Sequence, residues 1–460
     1  MKTDPYLICP NQTVTLHGIT FPLEYLFRGM LIVGQPGSGK TRCVLMPLLK
    51  SILAATGDTP QQKASLIIAD PKNELAPFMA ETLAAVGRAH DLIVLKPGAA
   101  WYNPLGSPFL VNENEMVEKI VSFAENTRRQ SSSPPRDHAF WENAQRNLLG
   151  AIITATRTLH GPRLSFDLLN QTFREVDRFK TAQEAAGWMS EKNLPPAAVN
   201  GIRDFLKLPH DTTRPSVASC VSNCLYFWQR EPLAQLITPS ESIPSVDPID
   251  IVHQGKVLVI GCSGPAFGVS VTPLLLALKE HFFAALLSRD QIEAAEEGDW
   301  KLINQDRPVF FIADEFQSYM SASASIGELT ALDRLRGFKA GYIAATQNLA
   351  SLHSVLGDST HAIRLISLFA NQVFLANICP VTATQASHIL GTKKVRDGGT
   401  QPSMAPPLMF RTGKRFRPKS RDSFEITRTE PRVAADTLAA MKTGEFWLRL
   451  ANGKVRQGKA

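Results

Sequence analysis

No stretch of this 460-residue chain holds the roughly 18 uninterrupted apolar residues that a membrane-spanning helix needs. The nearest approach, Val271–Leu287, is cut by Lys279, Glu280 and His281. The opening residues, MKTDPYLICP, lack the long apolar centre of a secretory leader. A soluble chain with no transmembrane segment of its own is therefore expected. Cysteine is scarce, with six residues. None form a CxxC pair and no histidine cluster accompanies them, which argues against a zinc finger or ribbon. Cys220 and Cys224 would share a helix face, but two thiols do not complete a metal set. Reduced core thiols in a cytosolic protein are the expectation. Internal repeats and long low-complexity tracts are also missing; GGTQPSMAPP (Gly398–Pro407) is the most flexible-looking piece.

Net positive charge is lacking outside one segment. The formal net charge is +7, and Lys393–Arg432 holds eleven lysines and arginines against four acids. That segment accounts for the whole excess. Concentrated in this way it suits contact with phosphates; a solvated hairpin would look the same in sequence.

What the chain does have is length and a regular order of apolar runs. At 460 residues it exceeds one compact core, so two or more domains are expected. Short apolar runs ending in turn or polar residues read as strands of a buried parallel sheet. They are Met30–Val33, Leu66–Ala69, Leu92–Leu95, Val257–Ile260, Val309–Ala313, Tyr342–Ala345, Gln372–Ala376 and Phe446–Leu450. Helical patterns between many of them predict an α/β fold with a mostly parallel sheet. From about Val111 to Asp250 the pattern is helical with no convincing strand, clearest at Phe140–Leu159 and Ser216–Gln229. This stretch holds 15 basic and 17 acidic residues, which gives no overall charge for a nucleic-acid surface. The expected organisation is a nucleotide-binding domain in two parts, 1–110 and 251–460, around an all-α insertion at 111–250.

The chemistry begins at GQPGSGKT, residues Gly34, Gln35, Pro36, Gly37, Ser38, Gly39, Lys40 and Thr41. It follows the apolar MLIV and precedes a helical segment, Val44–Leu53, the strand–loop–helix setting of a phosphate-binding loop. The glycines let the backbone turn its N–H groups towards phosphate oxygens. Lys40 would reach the β- and γ-phosphates, and Thr41 would offer a hydroxyl to Mg²⁺. The expected ligands are ATP and Mg²⁺. VFFIADEF (Val309–Phe316) then delivers Asp314 and Glu315 to the carboxyl end of a strand, where ligands of open α/β sheets bind. Asp314 suits the Mg²⁺ shell; Glu315 suits orientation or deprotonation of an attacking water. Gln347, after the strand in YIAATQN, is a candidate sensor of hydrolysis. Arg334 and Arg336 lie between the acidic pair and Gln347. Either is a candidate arginine finger for a neighbouring subunit's ATP, Arg336 being favoured.

These motifs together resemble the VirD4/TraG/TraD family of type IV secretion coupling proteins, ATPases of conjugative DNA transfer. LIIADPKNEL (Leu66–Leu75), YNPL (Tyr102–Leu105), FWENAQRNLL (Phe140–Leu149), IADEF and KAGYIAATQNLASL (Lys339–Leu352) carry the resemblance in order. It implies a RecA-like fold, a homo-hexameric ring with ATP at subunit interfaces, and DNA as cargo, single-stranded rather than duplex, handed with relaxase or effector proteins to channel components. It also places Asp70 and Lys72 of the DPK motif beside the nucleotide. Asn73 stands where the family has Gly; Asn tolerates left-handed backbone angles. Family members often carry an amino-terminal membrane anchor that is not evident here, so the expected placement is cytoplasmic, peripheral at the inner membrane through partners. Two other functions share the core motifs: a HerA/FtsK-like duplex DNA pump, and an ATP-gated hub that recruits protein substrates without moving them.

The basic segment yields a prediction. If it meets single-stranded DNA, neutralising Lys414, Arg415 and Arg417 weakens binding and flattens its log–log salt dependence by about 0.7 for each phosphate no longer neutralised. A salt titration in which the slope does not change returns the segment to a solvated hairpin.

Overall fold

The computed structural model describes residues 12–56, 62–106, 112–128, 138–262, 271–287, 289, 307–320, 327–356, 359–402, 408–409, 415–416 and 421–460. A hairpin comes first, β1 (Thr13–Leu16) with β2 (Ile19–Pro22). Its turn, His17-Gly18, has φ of 46° and 78°, the double left-handed turn that two-residue hairpins favour. The alternation in TVTL and the HG turn could have announced this hairpin. β3 (Met30–Val33) leads into the glycine-rich loop. The helix beyond the loop opens as a wide π turn over Lys40–Leu45 and continues as α1 (Met46–Thr56). Pro47 has no N–H to give the Cys43 carbonyl; His17 Nε2 donates to it instead, at 2.6 Å. The hairpin turn thus satisfies an acceptor that the proline leaves open.

β4 (Ser65–Ala69), α2 (Leu75–Ala85) and β5 (Leu92–Leu95) follow. The two-residue β6 (Trp101–Tyr102) then leads into seven helices: α3 (Glu113–Arg128), α4 (His138–His160), α5 (Phe166–Asp177), α6 (Ala182–Glu191), α7 (Pro196–Leu206), α8 (Thr213–Tyr226) and α9 (Ala234–Ile237). β7 (Ser245–Val246) returns the chain parallel to β6. The expectation of no strand within 111–250 is corrected by β7. Two residues are too short for a period of two to declare itself, and pairing across more than a hundred residues leaves no local trace. Inside the helical region, Gly201 of α7 lies against α4: a methyl there would sit 2.6 Å from that of Ala151. Cys224 lies buried in α8 and receives the Gln145 amide at 2.9 Å.

The second half runs α10 (Pro248–Gln254), β8 (Val257–Ile260), α11 (Val271–Leu287), β9 (Val309–Ala313), α12 (Glu328–Ala331), β10 (Ala340–Thr346), α13 (Leu349–Leu356), α14 (Ser359–Leu368), β11 (Asn371–Leu375) and α15 (Pro380–Leu390). A long antiparallel hairpin, β12 (Thr392–Pro402) with β15 (Arg421–Pro431), encloses the short pair β13 (Leu408–Met409) and β14 (Arg415–Phe416). The basic segment is this hairpin; Lys414 and Arg417 lie outside the described residues. α16 (Ala435–Ala439), β16 (Glu445–Arg449) and β17 (Val455–Lys459) end the chain.

All eight apolar runs read from the sequence lie in one nine-stranded sheet of order β17-β16-β11-β3-β10-β9-β4-β8-β5. The pairs from β11 to β5 are parallel, while β16 and β17 add antiparallel to one side. This is a RecA-like α/β sheet. Both faces are covered. Leu31, Val33, Ile67 and Ala69 face a core that runs on into the helical region. Met30, Ile32, Leu66 and Ile68 face a second core with α1 and α2. A slip of one residue would exchange the two faces, and two-sided packing fixes the register. Among the described residues, no helix is long and apolar enough to cross a membrane.

Buried polar groups tie the helical region to the sheet. The Tyr102 hydroxyl lies 2.5 Å from His281 Nδ1, and Lys119 of α3 lies 3.7 Å from Glu280. His281 is pushed down to about 3, by burial first and the Lys119 cation second, so it stays neutral. On the same helix Lys279 donates to Glu328 and, at 2.8 Å, to the Tyr319 carbonyl.

At the amino ends of the strands, buried Arg88 donates to Asp91 (2.8 Å) and to the carbonyls of Ala64 and Gly255. Burial would raise the Asp91 carboxyl, but the bonds from Arg88 and Lys63 outweigh it and hold it below its ordinary value. Removing Arg88 from this buried network leaves the Asp91 carboxylate to Lys63 alone, at a cost of up to about 3–5 kcal/mol. Arg88→Met is therefore expected to lower the melting temperature in calorimetry at pH 7. Because Asp91 has a depressed folded-state pKa, its contribution is present above the unfolded carboxyl pKa and lost as pH falls through the folded value. The deficit of Arg88→Met should therefore shrink in acid.

Candidate active site

Four neighbouring strands, β3, β10, β9 and β4, end on one edge of the sheet, and each contributes to one site. β3 delivers Gly34, whose N–H donates to Thr346 O at 3.2 Å, while Gln35 N–H donates to Ala376 O at 3.0 Å. The loop is thus pinned to the ends of the strands on both sides. Gln35 Oε1 accepts from Ile378 N (3.1 Å). Pro36 and Gly37 form an exposed crest, and Ser38 O accepts the Gly444 amide at 3.1 Å. Gly39 has φ of 97°, and a methyl on it would lie 2.8 Å from Cys43 Sγ. A glycine is required there on both counts.

Lys40 folds back over the loop. Its ammonium donates to the carbonyls of Gly34 (2.6 Å) and Gln35 (3.3 Å). The residue is 5% exposed, and burial lowers its pKa although Glu315 pulls the other way. Beside it the Ser38 hydroxyl is buried with no hydrogen-bond partner among the described residues. A desolvated cation held by carbonyls and an orphaned hydroxyl together fit an anionic phosphate. Thr41 Oγ1 donates to Asp314 Oδ2 at 3.3 Å. Burial raises the Asp314 carboxyl. A hydroxyl and a carboxylate side by side are the hard oxygen donors that Mg²⁺ takes.

Glu315 follows on the end of β9. Its backbone is left-handed, φ 51° and ψ 44°, a conformation that a non-glycine residue holds only when its surroundings impose it. Oε1 receives the Lys72 ammonium. Oε2 receives the amides of Gln317 (2.7 Å) and Gln347 (3.0 Å). Burial would raise the Glu315 carboxyl; the bond from Lys72 and those from the two amides bring it below its usual value. Lys72 comes from the turn after β4, where burial is outweighed by Glu315 and its pKa rises. Asp70 Oδ2 in the same turn accepts Leu75 N–H at 2.6 Å, and Asn73 has φ of 57°. Asn in place of Gly therefore keeps the left-handed turn.

Of the candidate residues, Lys40, Thr41, Asp314, Glu315, Gln347, Asp70 and Lys72 lie on this edge. Arg334 and Arg336 do not. Arg334 precedes the short turn Leu335–Phe338 ahead of β10 and Arg336 lies within it, and Lys339 O accepts Val309 N–H at the start of β9. They lie on the opposite edge, a full seven-residue strand from Gln347, and are exposed. Their place between two site motifs in sequence puts them at the wrong end of a parallel strand for their own chain's loop. Other site residues were not singled out from the sequence. Gln317 Oε1 accepts the Thr346 hydroxyl (2.9 Å), Asn377 Nδ2 donates to Gln347 O (2.7 Å), and Tyr319 donates to Asp314 O (2.7 Å). Asn377 follows the carboxyl end of β11, which lies beside β3, so the rule of carboxyl ends could have found it. Gln317 and Tyr319 sit in a loop that carries no such mark.

The sequence profile described as "Type IV secretory system Conjugative DNA transfer" matches residues 20–414. No curated protein sequence matches the chain. Among solved structures, the bacterial conjugative coupling protein TrwBdeltaN70 in its unbound form aligns with a TM-score of 0.63 and 15% identity, over 98% of this chain and 88% of its own. TrwB in complex with ADP and Mg²⁺ gives 0.61 and 17%, over 98% and 88%. VirB4 of Thermoanaerobacter pseudethanolicus gives 0.51 and 13%, over 94% and 88%. At these identities the likeness is one of fold.

Gly39→Ala should keep the fold and weaken nucleotide binding. The left-handed angle alone costs a residue with a side chain about 1–2 kcal/mol, or roughly five- to thirtyfold in affinity. Calorimetric titration with Mg-ATP, with circular dichroism as the control for folding, measures it.

Proposed function

The chain belongs to the type IV secretory system conjugative DNA transfer family, and on that premise we propose that it is an ATPase that couples hydrolysis to moving DNA, or a DNA–protein complex, into a secretion channel. The observation that carries this is the convergence of Lys40, Thr41, Asp314, Glu315 and Gln347 on one sheet edge. Bound ATP and Mg²⁺ would supply the γ-phosphoryl group and the cation that neutralises its charge. Lys40 and the loop amides bind the phosphates. Thr41 and Asp314 hold the metal. Glu315 orients the attacking water and takes its proton. Gln347 links Glu315 to Asn377 and so to the loop ahead of α15. TrwB, similar in fold, is known in complex with a non-hydrolysable ATP analogue and with ADP and Mg²⁺, in line with these ligands.

The exposed arginines on the far edge fit a site completed between subunits. In a closed ring each subunit offers one edge to each neighbour, and Arg336 would serve the neighbour's ATP. Relaxase, effector and channel contacts, and a peripheral position at the inner membrane, follow from the same family role.

ATP turnover is expected to rise on adding single-stranded DNA, under conditions where the protein forms rings. Lys40→Ala should lower turnover by on the order of 10²–10³, the usual scale for one preorganised donor. Arg336→Ala should lower it by about 10³ or more. Rings mixed from these two variants should recover activity, because an intact loop can then face an intact arginine. Rings with a turnover indifferent to DNA would sink the motor function, and absence of recovery would sink the finger in trans.

A further inference from the structure

Hydrolysis by Glu315 requires a carboxylate oxygen basic enough to take the hydrogen of water, yet three donors already draw on its two oxygens and make them weaker bases. The three donors differ in what else holds them. Gln317 is pinned because its own amide oxygen accepts the Thr346 hydroxyl at 2.9 Å. Gln347 is anchored through its backbone carbonyl, which receives Asn377 at 2.7 Å. The Lys72 ammonium has Glu315 as its one hydrogen-bond partner among the described residues, and its side chain is 42% exposed on a flexible stem. Its turn is fixed, by the Asp70–Leu75 bond and by Asn73 packed against Gly261, where a methyl would come within 2.9 Å of the Asn73 amide oxygen. Movement is thereby confined to the Lys72 side chain.

Lys72 and Lys40 stand on the same edge, with Glu315 and Asp314 between the strands that carry them. A multiply charged anion on the Gly34–Thr41 loop would attract both cations. We propose that Lys72 is a latch that selects a nucleoside triphosphate: it holds Glu315, and moves to the terminal phosphate when one is bound, releasing a Glu315 oxygen for the water. A diphosphate offers no terminal group at that place and leaves the latch on Glu315. The inference rests on the ATPase function above and assigns the group that tells ATP from ADP at its site.

The test is a thermodynamic cycle read by titration calorimetry on the full chain, with a Mg-bound non-hydrolysable ATP analogue and with Mg-ADP, so that turnover plays no part. Lys72→Met keeps the stem and removes the charge; Lys72→Arg keeps the charge. Without its charge-assisted bond, Lys72→Met should bind the analogue about tenfold or more weakly and ADP less than about threefold more weakly. Lys72→Arg should restore part of the difference. Glu315→Gln frees Lys72 and should tighten analogue binding several-fold, and that gain should vanish in the double variant Lys72→Met/Glu315→Gln. If the gain persists without Lys72, it reflects only relief of charge repulsion and the latch is refuted. Equal weakening of both nucleotides by Lys72→Met refutes it as well. Should the unaltered protein bind neither nucleotide, the ATPase function falls first and the latch with it.

Discussion

Parallel pairing from β11 to β5 is the constraint on which everything else here depends. Parallel strands need crossovers, and each crossover returns the chain to the same edge. Every loop that leaves a strand's carboxyl end therefore opens on one side of the sheet. β3, β10, β9 and β4 are neighbours, so the Gly34–Thr41 loop, Gln347, the Asp314–Glu315 pair and Lys72 meet there, although Lys40 and Gln347 are 307 positions apart in the chain. Two-sided burial fixes the register of each strand, and the register fixes the height of each side chain on the edge. The same rule keeps Arg334 and Arg336 away, since they precede a strand rather than follow one.

On this edge the backbone carries its main strain at Glu315. The left-handed angle aims the carboxylate at Lys72, Gln317 and Gln347 together, and Tyr319 holds the Asp314 carbonyl just before the turn. Tyr319 is in turn bonded through its carbonyl to Lys279 of α11. The next two residues of α11, Glu280 and His281, meet Lys119 in the helical region and Tyr102 in its neck. One helix thus touches the floor of the site on one side and the helical region on the other. These contacts are buried and polar, so a shift at one end leaves unpaired groups in the core unless the other end follows.

Much of this was legible in the sequence. Each strand at the centre of the sheet is an apolar run because both its faces are buried, and such runs stand out without any partner in view. The Gly34–Thr41 loop declares itself because its chemistry is local: three glycines, a lysine and a threonine within eight residues. The Asn73 turn was also legible, because left-handed tolerance belongs to the residue itself. β7 was not, being two residues long and made by a partner far away in the chain. The His17–Cys43 bond was not, because it depends on a proline in one element and a turn in another. The hairpin at Lys393–Arg432 was visible as charge, while its pairing became clear only in space.

By itself the sequence determined eight of the nine strands of the main sheet, which loop takes phosphate and which carboxylates follow one of those strands. Those are properties of residue type and short spacing, and hydrophobic periodicity and backbone preference act over a few residues. Only the tertiary structure decided the strand order, the three donors on Glu315, the freedom of Lys72 against the fixed Gln317 and Gln347, and the edge on which Arg336 stands. Each of these depends on contacts between residues tens to hundreds of positions apart, where closure of the chain and packing of two cores, not local preference, set the geometry.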